Sequence, residues 1–145
     1  TLAQIQHTEA VAVHVRRGDY VTNPKVAKVL ALCGLDYYEQ AIAHVIARVP
    51  HAHFFVFSDE PEWVRTNLRF DHAVTYVYGN GPQEDYEDMR LMSQCRHHII
   101  ANSSFSWWGA WLGQNPDKIV IAPIRWFNDS QKDTSDLIQK EWIRI

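Results

Sequence analysis

The hydrophobic positions of the chain fall in short runs that alternate with longer stretches of helical spacing. Runs of about five β-branched and aromatic residues predict buried strands. They lie at residues 11–15, 53–57, 74–78, 98–101 and 119–122. Strands that alternate with helices predict an α/β domain, in which a parallel sheet is covered by helices on both faces.

The clearest helical pattern covers residues 36–49, where apolar side chains recur at spacings of three and four. Asp36 and Glu39 have the spacing of a capping box, and Pro50 predicts the end of the helix. Further helices are predicted after Pro61 and at residues 86–96 and 104–112. Residues 21–34 and 128–135 lack a regular pattern and predict loops.

Composition narrows the class of protein. The chain has 145 residues, of which 46% are hydrophobic and 21% charged, as expected of one globular domain. A net charge of −3 predicts no broad basic surface for nucleic acid. No apolar run is long enough to span a membrane, and no signal peptide is expected. The chain begins at Thr1 without a methionine, which is typical of a fragment.

The first strand ends in the segment HVRRGDY, residues 14–20. Alternation along a strand places His14 and Arg16 on one side and Arg17 on the other. Each arginine needs an anion, and the planar guanidinium suits phosphate because it donates two parallel hydrogen bonds. This predicts a diphosphate clamp in which Asp19 holds one guanidinium. A structural Arg–Asp pair and an Arg-Gly-Asp adhesion tripeptide are the alternatives.

Two further carboxylates lie where ligands bind parallel sheets, at the carboxyl ends of the strands. Asp59 is either a helix N-cap or a ligand for a hydroxyl or a base edge. Asp88 shares a helix face with Leu91, Met92 and Cys95. A carboxylate on an apolar face is costly unless it is hydrogen-bonded, and the N–H donors of guanine would satisfy it. A first-turn acid favoured by the helix dipole is the alternative.

The junction before the helix at residues 104–112 is rich in small hydroxyl residues. Backbone N–H groups at such a helix start can bind an anion, and Ser103 and Ser104 would add hydroxyl donors. Plain N-capping is compatible with that role. The spacing of Trp107, Trp108 and Trp111 is typical of core residues rather than of a sugar platform.

Other chemistries have no supporting pattern. His97 and His98 are adjacent, and no second cluster has zinc-ligand spacing, so no metal site is predicted. Cys33 and Cys95 lack a nucleophile signature. Neither a Gly-x-Gly-x-x-Gly nor a Walker loop occurs. Asn102 begins a glycosylation sequon, but at a predicted buried junction.

The first and fifth strand-end motifs together are specific. The chain resembles the C-terminal half of the α-1,2-fucosyltransferases of glycosyltransferase family 11. The matching segments span nearly the whole chain in the family's order: HVRRGDY at 14–20, FFVFSDE at 54–60, DMRLMS at 88–93, NSSFSWWGAWL at 102–112 and IVIAPIRWF at 119–127.

The resemblance implies one half of a GT-B enzyme, in which two Rossmann-like domains enclose a cleft. Residues 1–145 would be the C-terminal domain, which binds most of the donor GDP-β-L-fucose. Arg16 would be the catalytic residue at the diphosphate, and Asp88 would recognise guanine. The donor-binding residues implied are His14, Arg16, Arg17, Asp59, Glu60, Asp88, Ser103, Ser104 and Phe105, with Asp19 in support.

The implied reaction is inverting, metal-independent transfer of L-fucose from GDP-fucose to a galactoside of a glycan, without a cofactor. Arginine and helix-start amides would stabilise the charge that grows on the leaving diphosphate. A general base is expected to take the proton of the acceptor hydroxyl. Asp19 is a candidate for this base, and the alternative is that Asp19 orients an arginine.

The resemblance also implies an N-terminal half that carries much of the acceptor site, and we expect that half to lie outside residues 1–145. The expected partners are that domain, GDP-fucose and the glycan, without nucleic acid. The expected location is the bacterial cytoplasm or the cytoplasmic face of the membrane. Two alternatives stay open: a fucosyltransferase of other linkage, such as 1,6, and a noncatalytic nucleotide-sugar-binding module. The chain alone is expected to bind donor weakly and to transfer nothing.

Overall fold

The computed structural model describes residues 1–78, 81 and 84–145. Within these residues there are seven helices and six strands. The helices are α1 (Leu2–Gln6), α2 (Gly18–Thr22), α3 (Pro24–Val29), α4 (Leu35–Ile46), α5 (Pro61–Asn67), α6 (Asp85–Gln94) and α7 (Ser104–Leu112). The strands are β1 (Glu9–Val15), β2 (Ala52–Ser58), β3 (Ala73–Tyr76), β4 (His97–Ile99), β5 (Val120–Ala122) and β6 (Ile143–Arg144). None of these helices has the length and apolar character needed to cross a membrane.

The strands form one parallel sheet in the order β3-β2-β1-β4-β5-β6. The central strand β1 pairs with β2 along its whole length and with β4 on its other side. The strand order therefore reverses between β1 and β4, which is where doubly wound sheets open a ligand crevice. This topology confirms the predicted α/β class and the Rossmann-like arrangement.

Helices cover both faces of the sheet. On one face, Val11, Val13 and Val15 of β1 belong to the same buried cluster as α4, whose inward positions include Tyr38 and Val45. The helical spacing of residues 36–49 predicts these inward positions. On the other face, the small residues at the even positions of β1 pack with α1 and α6. Burial on both faces explains why the strand sequences are almost continuously apolar.

A third buried cluster lies at the end of the sheet formed by β5 and β6. It joins Ala110 of α7 to Trp126 and Trp142, with Trp107 packed against it. The indole Nε1 of Trp107 donates a hydrogen bond to the Leu137 carbonyl at 2.7 Å. This cluster anchors the loop between β5 and β6 against the outer side of α7.

The predicted loop at residues 21–34 is wrong in its first half, because α2 and α3 occupy it. The side chain of Asn23 accepts a hydrogen bond from the backbone N–H of Lys25 at 3.0 Å, and Pro24 lies in the first turn of α3. Asparagine followed by proline is a helix-start signal. Helices of five or six residues are too short to show a hydrophobic period.

Two other local predictions need correction. The N-cap of α4 is Gly34, and Asp36 makes no cap hydrogen bond, so the predicted capping box does not form. Trp108 and Trp111 are 48% and 47% exposed, although a core position was predicted for both. Helix α7 is apolar on nearly every side, so its spacing alone does not determine which side faces inward.

Candidate functional site

A cavity of about 390 Å³ opens where the strand order reverses. We call it the switch-point cavity. It receives side chains from the carboxyl ends of β1 and β2 and from the first turns of α6 and α7. The residues that line it are His14, Arg16, Phe57, Ser58, Asp59, Asp85, Asp88 and Phe105. Five of the predicted site residues therefore meet in one cavity, although they lie far apart in the sequence.

Arg16 is held by carboxylates but still reaches the cavity. One oxygen of Asp19 accepts hydrogen bonds from Nε at 3.1 Å and from Nη2 at 2.9 Å. A carboxylate oxygen of Asp59 lies 3.4 Å from Nε. The Arg16 side chain is 37% exposed, and within the described residues no hydrogen bond uses Nη1. The ion pairs therefore orient the guanidinium and leave some of its N–H groups available to donate hydrogen bonds to a ligand.

Arg17 points to the other side of the strand, as the alternation predicts. Its Nε lies 3.2 Å from a carboxylate oxygen of Glu60, and its guanidinium stacks 3.5 Å from the centre of the Trp63 ring. The Arg17 side chain is only 16% exposed. Arg17 and Glu60 thus pair with each other outside the lining of the switch-point cavity. Their predicted role in donor binding stays a prediction.

Asp59 joins the ends of β1 and β2. Its Oδ1 accepts a hydrogen bond from the backbone N–H of Arg17 at 3.0 Å. A Cβ atom at position 18 would lie 2.6 Å from Oδ2 of Asp59, so Gly18 permits this close approach. The N-cap of α5 is Glu60, and no side chain caps that helix. The N-cap alternative for Asp59 is therefore wrong.

His14 forms an inner wall of the cavity. It is 5% exposed, and its ring lies 5.5 Å from that of Phe105. Burial, and then the charge of Arg16, lower the pKa of His14 to about 3, so the imidazole is neutral at physiological pH. Its Nδ1 has no hydrogen-bond partner among the described residues. A neutral imidazole beside Arg16 adds one N–H donor and no charge.

The first turn of α7 faces the cavity through Phe105. Ser103 is the N-cap residue but makes no side-chain cap hydrogen bond, so its hydroxyl does not satisfy the first-turn amides. Ser104 is exposed and lines a neighbouring cavity rather than this one, and Ser103 lines neither. Plain N-capping by a serine hydroxyl is thus absent at this junction, which lies in the described part of the chain.

Helix α6 contributes two further carboxylates to the cavity. Asp85 and Asp88 lie three residues apart in the first turns of α6, and both line the cavity. Leu91 and Met92 are buried on the same helix, as their spacing with Asp88 predicts. The lining of the cavity therefore combines the guanidinium of Arg16, which is paired with Asp59, and two carboxylates on α6.

Four residues in and near this cavity were not predicted as site residues from the sequence: Phe57, Ser58, Asp85 and Asn102. Ser58 and Asp85 line the cavity. Ser58 directly precedes the predicted Asp59, and Asp85 lies one helical turn before the predicted Asp88. Asn102 is 1% exposed and donates through Nδ2 to the carbonyls of Ala31 and Trp126. A sequon does not signal such a role, but a polar residue directly after a buried strand does.

Metal ligands are not grouped in the described part of the chain. No set of three or more His, Cys, Asp or Glu side chains there is arranged to hold an ion. Both cysteines are buried, and burial raises the pKa of Cys33 to about 11 and of Cys95 to about 12. Neither thiol is therefore poised as a nucleophile.

The chain belongs to glycosyl transferase family 11, whose model matches residues 2–145. This match confirms the resemblance drawn from the strand-end motifs. The fold, with a ligand cavity at its switch point, is consistent with the membership.

Known relatives carry transferase names. An alpha-1,2-colitosyltransferase of Escherichia coli is 43% identical, and the match covers 97% of this chain and 49% of that protein. The O-antigen biosynthesis glycosyltransferase WbnK of Escherichia coli is 39% identical, over 97% of this chain and 46% of WbnK. Mouse galactoside alpha-(1,2)-fucosyltransferase 2 is 38% identical over 81% of this chain. The chain spans about half the length of the two bacterial relatives.

Proposed function

We propose that this chain is the donor-binding part of an inverting glycosyltransferase that moves L-fucose from GDP-fucose to a galactoside of a glycan. The observation that carries the proposal is that Arg16 and the α6 carboxylates line the same switch-point cavity. A GDP-linked sugar has a group for each of them: an anionic diphosphate for the guanidinium and a guanine edge that donates hydrogen bonds for a carboxylate. Relatives named as galactoside fucosyltransferases support this choice of substrates.

The diphosphate would lie between Arg16 and the first turn of α7. In the reaction, an acceptor hydroxyl oxygen bonds to the anomeric carbon while the bond from that carbon to the β-phosphate oxygen breaks. The hydroxyl proton passes to a base, and the electron pair of the broken bond stays on GDP. Arg16 and the helix amides stabilise the growing negative charge because they are already oriented before it develops.

Guanine would lie beside the α6 carboxylates of the cavity. The N1–H and N2–H groups of guanine form two donors in a row, and the Asp88 carboxylate can accept both. Hydrogen bonds to a charged acceptor are stronger than those between neutral groups. Pyrimidine and adenine edges do not present this pair of donors. The arrangement therefore supports selection of GDP over other nucleotides.

Asp19 supports Arg16 rather than the acceptor hydroxyl in this proposal. One Asp19 oxygen already accepts two hydrogen bonds from the guanidinium. An arginine fixed in this way can take over the charge stabilisation that a divalent cation provides in other transferases. We therefore propose metal-independent transfer without a cofactor. Activity of the complete enzyme should persist after EDTA treatment, and restoration only by an added divalent cation would contradict this.

We also propose that a second domain completes the enzyme, because the bacterial relatives are about twice as long as the match. That domain would supply most of the acceptor site and close the cleft over the donor in a GT-B arrangement. Alone, this chain would bind GDP-fucose weakly and transfer nothing. The complete enzyme would act in the cytoplasm or on the cytoplasmic face of the membrane.

Transfer of colitose is a second candidate, favoured by the bacterial relative that is 43% identical. Product analysis with both sugar donors separates the two reactions and reports the linkage formed. Absence of transfer from both donors would leave the chain a noncatalytic binding module.

Calorimetry with GDP, GMP and UDP tests the proposed nucleotide. We expect GDP to bind most tightly, GMP more weakly because it lacks the β-phosphate, and UDP more weakly because it lacks the guanine donors. Equal affinity for GDP and UDP would contradict guanine recognition. Absence of binding by all three to the complete protein would refute the proposed function.

A further inference from the structure

A second cavity, of about 420 Å³, lies on the other side of the α7 N-terminus. We call it the aromatic cavity. Its walls include the rings of Tyr20, Trp107, Trp108, Trp126 and Phe127, and its polar lining includes Asn102 and Ser104. No carboxylate, lysine or arginine belongs to the described lining. Its chemistry therefore differs from that of the charged switch-point cavity.

The walls of the aromatic cavity are fixed by internal hydrogen bonds. The Tyr20 hydroxyl donates to the backbone carbonyl of Asn102 at 2.8 Å, and the Asn102 side chain donates to the Trp126 carbonyl at 2.8 Å. Trp107 is held through its Nε1 by Leu137. Because these polar groups are already paired, the rings present mainly their faces and edges to the cavity. A preformed cavity of this kind loses little freedom when a ligand binds.

The two cavities adjoin. Phe105 and Ser104 are consecutive residues in the first turn of α7, and each lines one of the cavities. Tyr20 walls the aromatic cavity, and its ring centre lies 5.8 Å from the guanidinium carbon of Arg16. An anion bound by Arg16 would therefore lie close to Tyr20, a wall residue of the aromatic cavity.

We propose that the aromatic cavity binds the pyranose ring of the donor sugar, a 6-deoxyhexose. This inference rests on the proposed function, since it assumes a diphosphate at Arg16. The anomeric carbon is one oxygen away from the β-phosphate, so the sugar must occupy the space next to it. The C–H face and the methyl carbon of a 6-deoxyhexose are apolar and suit aromatic ring faces, while Ser104 offers its hydroxyl to a sugar hydroxyl.

Two tryptophans of α7 form a matched pair for the test. Trp108 and Trp111 are almost equally exposed and both contact Trp107, at 5.0 and 5.4 Å between ring centres. Trp108 lines the aromatic cavity, whereas Trp111 lines a different depression near Lys118. Trp108→Ala thus removes a wall of the proposed sugar site, and Trp111→Ala is its control.

The experiment measures the dissociation constants of GDP-fucose and GDP by calorimetry on the complete protein, without acceptor. We expect Trp108→Ala to weaken GDP-fucose binding by about tenfold, the loss of one aromatic contact, and to leave GDP binding unchanged. Trp111→Ala should change neither constant. Phe127→Leu, a milder change in the same cavity, should weaken GDP-fucose alone, and thermal melting checks that each variant is folded.

Three results would overturn the inference. Unchanged GDP-fucose binding in both cavity variants would show that the sugar lies elsewhere. Equal weakening of GDP and GDP-fucose would place the nucleobase in the aromatic cavity. A raised KM for the galactoside with unchanged donor binding would assign the cavity to the acceptor instead. In each of these cases GDP still binds the unsubstituted protein, which distinguishes them from failure of the proposed function itself.

Discussion

Arg16 and Arg17 are adjacent residues with opposite environments. Arg16 is held by Asp19 and opens to the switch-point cavity, whereas Arg17 is stacked on Trp63 and paired with Glu60. The strand period shows that they lie on different sides, but it does not show which side carries the cavity. That depends on Trp63, which is distant in the sequence, so the two roles become distinct only in the folded chain.

Arg16→Ala should remove most of the transfer activity of the complete enzyme while the fold stays intact. Loss of one preorganised charge-stabilising group lowers kcat by about 10²–10³-fold. Steady-state kinetics and a circular dichroism spectrum test both parts. Arg17→Ala is the matched control, and we expect it to lower the free energy of unfolding more than Arg16→Ala does. Near-normal turnover by Arg16→Ala would refute the role at the diphosphate.

Asp88→Asn should weaken discrimination for guanine. The asparagine amide is uncharged and has only one acceptor oxygen, so it loses a charged hydrogen bond to guanine. Hydrogen bonds to charged groups contribute roughly 1.5–3 kcal/mol each. The preference for GDP over UDP should therefore fall at least about tenfold. Competition between GDP and UDP for the complete protein measures the preference. Glu87→Gln is the control, because Glu87 pairs with Arg90 rather than lining the cavity. An unchanged GDP-to-UDP ratio would contradict the assignment.

The elements show where sequence patterns are informative and where they are not. The long strands β1 and β2 are predicted to within two residues, because both faces of each are buried and the apolar run is continuous. Helices α2 and α3 are missed because they are shorter than two turns. The exposed side of α7 is misjudged since nearly all its residues are apolar. In each failure, packing against a distant segment decides what the local pattern leaves open.

At the other end of α7, Lys118 caps the helix. Its Nζ donates to the carbonyls of Ala110 at 2.8 Å and of Gly113 at 2.9 Å, and partial burial lowers the pKa of Lys118. A cation there satisfies terminal carbonyls and interacts favourably with the helix dipole. We expect Lys118→Met to lower the free energy of unfolding by about 1 kcal/mol. Urea denaturation tests this, with Lys140→Met as an exposed control that should change nothing.

The whole molecule combines a stable sheet with a site drawn from four separate elements. Motifs at the strand ends indicate the site residues, since a parallel sheet brings its carboxyl ends to one edge. The same motifs do not separate residues that line the cavity from those that support it, such as Arg17 and Glu60. They also give no sign of the aromatic cavity, whose walls come from α2, α7 and the loop after β5. Hydrogen bonds of Asn102 join two of these walls, at Tyr20 and at Trp126, which are distant in the sequence.

Buried histidines, of which His14 and His98 have the largest pKa shifts, should make the whole fold sensitive to acid. Burial, with smaller effects of neighbouring cations, lowers the pKa of His14 and of His98 to about 3 from an ordinary value of 6.5. Below pH 6.5 the unfolded chain therefore binds protons that the folded chain does not. Stability is complete above that pH and falls as the pH decreases toward 3, by about 1.4 kcal/mol per pH unit for each histidine.

Chemical denaturation of the chain between pH 7.5 and pH 5 measures this slope. His98→Met should reduce the slope by up to about 1.4 kcal/mol per pH unit, because one buried histidine fewer takes up a proton on unfolding. His14 and His97, whose pKa values burial also lowers, keep part of the slope. His98 is the better choice, since it lies under α7, away from the switch-point cavity, and both its ring nitrogens lack partners among the described residues. His51→Gln, at an exposed position, serves as the control. A slope that His98→Met leaves unchanged would mean that other groups cause the acid sensitivity.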